Sequence, residues 1–203
     1  MVFSNNGRTR RRSGFASMLL GVVAALGASG VADAACPAQP ASQPFAPWGD
    51  AAQYVAVAGG DFESGAAGWS LTGGAAVQSG NEPFHVGSAA DQQSLDLPAG
   101  SAAELPPVCI DIGHPTLRLF ARNTGSPLAT MTVSVGTLSL LGLRVWTPVG
   151  VVTGGPDWAP SQPVPVVVNL LQLTGGSDVV FRFAPAGGDW SIDDVYVDPY
   201  SKG

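Results

Sequence analysis

The chain has 203 residues, of which 45% are hydrophobic and 12% charged, with 15 acidic against 9 basic side chains and a formal net charge of −6. This balance disfavours nucleic acid and anionic lipid surfaces as partners and leaves neutral or cationic ligands and divalent metals open. The length suits one domain of ordinary size with a real core.

The first 34 residues read as a secretory signal peptide. Arg8, Arg10, Arg11 and Arg12 form a basic start, Phe15 to Val31 is mostly apolar and small, and Ala32-Asp33-Ala34 is an A-x-A cleavage pattern. The apolar stretch is shorter than the ~20 residues of a membrane span. "RRSGF" sits one residue off the spacing of twin-arginine export, and Asp33 stands where a lipid-anchored Cys36 would want a large aliphatic residue. Cleavage removes four arginines and Asp33, leaving 5 basic and 14 acidic residues in an exported, extracellular protein without a membrane span.

"CPAQPASQPFAPWGD" follows, within a Pro-rich arm over 35–53. Four prolines in fifteen residues forbid a regular helix or a central strand, so the arm is extended, held against the domain by Phe45 and Trp48. Cys36 and Cys109 are the two cysteines of the chain, and export places them where thiols oxidise. A Cys36–Cys109 disulfide is the leading reading, with two unpaired thiols as the alternative. The cysteines and the distant His85 and His114 lack the close ligand spacing of a metal site.

Residues 54–203 carry a β pattern, with glycine and proline punctuating the chain about every ten residues. "TLRLFARN" alternates, with Leu117, Leu119 and Ala121 on one face and Arg118, Phe120 and Arg122 on the other. "TMTVSV" turns Met131, Val133 and Val135 inward. "LRVW" sets Arg144 and Trp146 on one face. "VPVVVNLLQL" aligns Val164, Val166, Val168 and Leu170, and its Pro163 and Pro165 favour an edge. "VVFRF" points Val179, Phe181 and Phe183 inward and Arg182 outward. Many short period-2 strands separated by turn signals predict an all-β sandwich. Its last strand, "WSIDDVYV", places Asp193 and Asp194 side by side among apolar residues, which calls for a cation or other partner, because an unpaired buried charge is costly.

Two ends of this domain carry a resemblance. "GGDFESGAAGWSL" at residues 59 to 71 and "WSIDDVYV" at 190 to 197 resemble the opening and closing segments of secreted carbohydrate-binding modules with the galactose-binding-like jelly roll. The arrangement "C…PWGD…GGDFE" also resembles uncharacterised secreted proteins of high-GC bacteria. The first resemblance implies a jelly-roll β-sandwich and a structural calcium. Carried over, the calcium would be held by Glu63, by Asp193 or Asp194, and by backbone carbonyls near Gly60 and Ser64. Calcium takes 6 to 8 oxygens and accepts such mixed shells. Adjacent strand residues point to opposite faces, so one aspartate is the main ligand, and Asp193, on the side of Ser191, is the expected one. The alternative is that both aspartates accept loop N–H groups without a metal.

A sugar site needs aromatic faces and planar polar groups. The candidates are Arg118, Phe120, Arg122 and Arg182 on outward faces, with Arg144 and Trp146. The competing reading is that the arginines pair with excess carboxylates at the surface. Trp69, Trp158 and Trp190 are expected to pack rather than bind. A glycosidase needs two carboxylates across a cleft, but the chain has only Glu63, Glu82 and Glu104 as glutamates. Neither histidine lies near a G-x-S-x-G elbow, and there is no Walker loop or dinucleotide fingerprint. The expectation is a secreted, noncatalytic, calcium-stabilised glycan-binding module. The alternative is an envelope structural or protein-interaction module that does not bind sugar.

Overall fold

The computed structural model describes residues 36–110, 116–138, 143–166 and 177–198. The predicted signal peptide and most of "VPVVVNLLQL" lie outside these residues. Thirteen strands follow in chain order: β1 (Val55–Ala56), β2 (Ser70–Thr72), β3 (Ala76–Ser79), β4 (Gln93–Leu97), β5 (Ala102–Glu104), β6 (Val108–Ile110), β7 (Thr116–Asn123), β8 (Thr130–Leu138), β9 (Arg144–Val152), β10 (Ala159–Pro160), β11 (Val164–Pro165), β12 (Ser177–Ala186) and β13 (Trp190–Val197). Among the described residues no helix is long and apolar enough to cross a membrane.

The strands form two antiparallel sheets. One runs β10-β7-β13-β4-β3, with β1 on β13 and β11 on β7; the other runs β2-β5-β12-β8-β9, with β6 on β12. Among the described strands, only β3–β4, β5–β6, β8–β9 and β10–β11 are consecutive within one sheet, and every other step in strand order passes to the opposite sheet, so the fold is the jelly-roll sandwich that the sequence motifs imply. The core lies between the sheets, where period-2 alternation sends the predicted inward residues. Leu117, Leu119 and Ala121 of β7, Met131, Val133 and Val135 of β8, and Val179, Phe181 and Phe183 of β12 are all buried in it. Trp69 and Trp190 join them, as expected of packing residues, and Trp69 donates its indole N–H to the Ala58 carbonyl at 3.2 Å. Truncating one such aromatic ring to alanine costs about 3–5 kcal/mol. Proline removes a ladder donor, and among the described residues β11, which contains Pro165, pairs on one side alone, with β7.

The arm is built as a strap. Cys36 is bonded to Cys109 of β6, with 5.6 Å between the Cα atoms and 73 residues of separation. In the chain-entropy account a loop of this length contributes roughly 4 kcal/mol. Ser42 and Tyr54 exchange backbone hydrogen bonds of 2.9 and 2.7 Å. Between them, Ala46–Trp48 makes one 3-10 turn, closed by Gly49 in the left-handed region at φ 82°. This turn drives Phe45 into a second, small aromatic core with Tyr54, Phe120 and Tyr196.

Candidate functional site

The outer face of the β10-β7-β13-β4-β3 sheet carries two adjoining arrangements, one aromatic and polar, the other acidic. Strand alternation places Arg118, Phe120 and Arg122 on this face as predicted, but the strap covers two of the three. Phe120 is fully buried, stacked on Phe45 at 5.3 Å and touched edge-on by Trp48 at 5.2 Å. Arg118 is 6% exposed; its guanidinium lies 4.1 Å from the Phe45 ring centroid, donates to the Ser161 carbonyl at 3.0 and 2.8 Å, and pairs with Asp50. The expected ligand face through Arg118 and Phe120 is therefore filled by the chain's own residues. The sequence pattern gives the face of a strand, and not what else packs on it.

The strap replaces that surface with its own. Trp48, 37% exposed, and Phe84, 43% exposed, meet edge-to-face at 4.8 Å above Phe120. Trp158 packs half-buried against the same aromatic cluster, and the Arg122 guanidinium lies 5.0 Å from its ring centroid. From there a polar row crosses the sheet. Arg122 Nε donates to Ser191 Oγ at 3.4 Å, while Gln78 Nε2 reaches Ser191 Oγ at 3.3 Å and Asp96 Oδ1 at 3.5 Å. The register explains the alignment, since Ser191 stands opposite Arg122 on one side and Asp96 on the other. Burial and the charge of Asp189 raise the Asp96 carboxyl above its usual range, partly offset by Arg122. The sequence carries no sign that Trp48 and Phe84 meet at the surface, because their place depends on the strap and on the loop between β3 and β4. Trp158, expected to pack, also presents its ring to Arg122.

The remaining ligand candidates lie on the other sheet. Arg144 and Trp146 of β9 and Arg182 of β12 form one cluster there, with both guanidiniums over the Trp146 ring.

The acidic arrangement lies at the middle of β13 and the loop between β3 and β4. Glu82, Asp193 and Asp194 are buried, at 0%, 0% and 4% exposure, and among the described residues none has a basic partner at ion-pair distance. Glu82 takes the backbone N–H of Val86 at 2.6 Å and that of Phe84, so its carboxylate folds the loop around itself. Asp193 accepts at both oxygens, from the N–H of Glu82 at 3.2 Å and of Asp194 at 2.9 Å. Asp194 differs: its Oδ2 is buried without a hydrogen-bond partner. A β-bulge between Asp193 and Tyr196 interrupts the ladder to β7, and Asp194 has φ 48°. The alternation that assigned the two aspartates to opposite faces therefore stops at this point. Among the described residues, the non-glycine residues in the left-handed region are Asp194, Phe62 beside Glu63, and His85 within the Glu82 loop. Such strain concentrates where a site over-determines the backbone.

Burial, with the charge of Asp194, pushes Asp193 up to about 8; burial, with the charge of Glu82, pushes Asp194 up to about 7. Asp91 is also raised, by burial and by the charges of Glu63 and Asp61. A Cβ at Gly87 would stand 2.7 Å from Asp91 Oδ2 and 3.0 Å from Asp194 Oδ1, so only glycine lets the two carboxylates approach this backbone. They open on a cleft of about 420 Å³, also lined by Gly60, Asp61, Gly87 and Tyr196.

Of the residues expected at a metal, Glu63 lies nearby, but its Oε1 accepts the N–H groups of Gln92 and Gln93 at 2.7 and 2.6 Å. The Gly60 carbonyl takes the Val195 N–H at 3.1 Å, and Ser64 is exposed. Among the described residues no three His, Cys, Asp or Glu side chains are grouped to hold a metal ion. The orphaned oxygen of Asp194, its neighbour Asp91 and the Gly87 cradle suit a hard cation completed by backbone and water oxygens. Asp193, with both oxygens taken, suits it less. Glu82 and Asp91 carry no signal in the sequence beyond being acidic residues in a Gly- and Ser-rich loop.

No family model matches the chain, and no curated protein matches it. Among solved structures it is similar to the CBM22-1 xylan-binding domain from Paenibacillus barcinonensis Xyn10C, at 15% identity and a TM-score of 0.47, covering 67% of this chain and 88% of that one. It is also similar to TmCBM61, solved in complex with β-1,4-galactotriose, at 18% identity and a TM-score of 0.41, covering 70% of this chain and 95% of that one. A third likeness is to the enzymatically active domain of bacteriophage CBA120 tailspike protein 4, at 17% identity and a TM-score of 0.45, covering 70% of this chain and 21% of that one.

Proposed function

We propose that this protein is an exported, noncatalytic glycan-binding module whose ligand lies on the outer face of the β10-β7-β13-β4-β3 sheet. The observation that carries the reading is the juxtaposition of exposed rings with a planar polar row. Trp48 and Phe84 offer aromatic surface, and Arg122, Gln78 and Asp96 are aligned beside Trp158 through Ser191. Sugars present C–H faces that stack on aromatic rings and hydroxyls that bridge planar amide, guanidinium and carboxylate groups. The Cys36–Cys109 bond supports an oxidising destination. A calcium ion at Asp194 and Asp91 belongs to the same proposal, as a structural ion that ties the bulge of β13 to the loop between β3 and β4. It would supply counter-charge to buried carboxylates and no chemistry.

Affinity electrophoresis against a panel of neutral β-linked polysaccharides tests the reading. Retardation by at least one polymer is expected. Trp48→Ala with Phe84→Ala, and separately Arg122→Ala, should weaken it at least tenfold, about 1.4 kcal/mol. Because Trp48 and Phe84 also cover Phe120, the melting temperature of each variant is measured alongside, and binding is compared where the variant is fully folded. Binding that survives both changes, or no retardation by any glycan, overturns the assignment.

A further inference from the structure

Trp146 lies close against the backbone of β8. A Cβ at Gly136 would stand 2.7 Å from its ring, so glycine makes the seat. Arg144, two residues earlier on β9, and Arg182, on β12 across β8, each hold a guanidinium over this one indole, 5.7 and 5.4 Å from the ring centroid. Two cations thus share a ring. Among the described residues neither has a carboxylate at ion-pair distance, although Glu104 stands opposite Arg182 in the register. Arg182 Nε is buried with no acceptor.

This is an odd place to economise on counter-charge in a chain with 15 acidic and 9 basic residues. Like charges held close together raise each other's energy, and a buried N–H without an acceptor adds its own cost. The indole offsets part of this through the attraction of its face for each guanidinium, and it fixes their planes. Fixed guanidinium planes are what bidentate recognition of carboxylates requires. The acidic surplus elsewhere does not forbid an anion here, since exposed charges beyond about 8 Å are largely screened at physiological ionic strength.

We propose that Arg144, Trp146 and Arg182 form a second site, on the β2-β5-β12-β8-β9 sheet, that binds a carboxylated polysaccharide built of uronic acid units. The guanidiniums receive the carboxylates, and the indole keeps both in place. The sugar in this assignment rests on the glycan-binding reading; the carboxylate rests on the unpaired arginines alone. A neutral glycan would leave both cations without a partner.

The test compares polygalacturonate with its fully methyl-esterified form, which keeps the backbone and removes the charge. Titration calorimetry is run in chelator, so that calcium bridging does not contribute, with dextran sulfate as a generic polyanion. Polygalacturonate should bind at least tenfold more tightly than the ester or dextran sulfate, and more weakly as salt rises. Arg144→Gln, at an exposed position, should abolish that preference, and Trp146→Phe should reduce it. Both should leave neutral-glycan binding at Trp48, Phe84 and Arg122 unchanged, so the two sites fail independently. Equal binding of acid and ester, equal binding of dextran sulfate, or an unaltered preference in Arg144→Gln overturns the proposal.

Discussion

Asp194 combines two unfavourable features: a left-handed backbone and a buried carboxylate oxygen without a donor. Its neighbour Asp193 has donors for both oxygens, yet burial raises it too, to about 8, with Asp194 at about 7. The consequence for pH has a definite sign. A carboxyl whose folded pKa is raised holds its proton in the folded state over a range where the unfolded chain has lost it. Folding then binds protons, and stability falls as pH rises from about 4 to about 8. In metal-free protein the melting temperature should therefore be higher at pH 5 than at pH 8. Added calcium should recover several degrees at pH 8 and much less at pH 5, where protons occupy the same oxygens. Asp194→Asn should remove most of the calcium response, and Asp193→Asn should retain more of it. A calcium response lost only in Asp193→Asn would place the ion on the other aspartate, and melting curves indifferent to calcium at pH 8 would remove it. The sequence shows that paired aspartates in an apolar strand need partners. It does not show which aspartate is left wanting, because a bulge is a property of the ladder and not of the strand's own residues.

The strap is the element that decides which surface the protein presents. Its anchor is polar as much as aromatic: Asp50 accepts from the Tyr54 hydroxyl at 2.7 Å and from the Ala52 N–H at 3.0 Å, and it pairs with Arg118. Burial pushes the Asp50 carboxyl up, but the hydrogen bonds from Tyr54, Ala52 and Arg118 outweigh it and hold the group below its usual value. A depressed carboxyl contributes stability that is present above the unfolded pKa and is lost as pH falls through the folded one. The protection of residues 42–54 against hydrogen exchange, relative to an unstructured chain at the same pH, should therefore fall below about pH 4, before the sandwich opens. Asp50→Asn should lower it at pH 7. Exchange in this segment that follows the sandwich under both conditions would show that Asp50 does not hold it. The cysteine pair made the tether legible, while the single 3-10 turn at Ala46–Trp48 has no signal in the prolines that exclude a regular helix. The burial of Phe120 was not legible, since alternation in β7 is equally satisfied by an open face and a covered one.

At the scale of the molecule, two-sheet architecture was the most legible feature, because β7, β8 and β12 alternate and their inner faces meet in one core. Strand order was less so, since period-2 patterns say which side is buried and not which neighbour is paired. That order has a temporal meaning. β13 lies between β7 and β4 and also takes β1, so the sheet that bears the proposed ligand face is joined through the strand synthesised after all the others described. Until residues 190–197 are available, β4 and β7 each lack a partner, and the rows of N–H and C=O groups facing the gap remain open. A chain ended at residue 188 should show no cooperative melt by circular dichroism; a sharp transition in that chain would show that the rest of the sandwich assembles without β13. Pairings so distant along the chain also close slowly. Translation therefore delivers a polypeptide whose sheet stays open until residues 190–197 have been made, and its closure waits for that one strand.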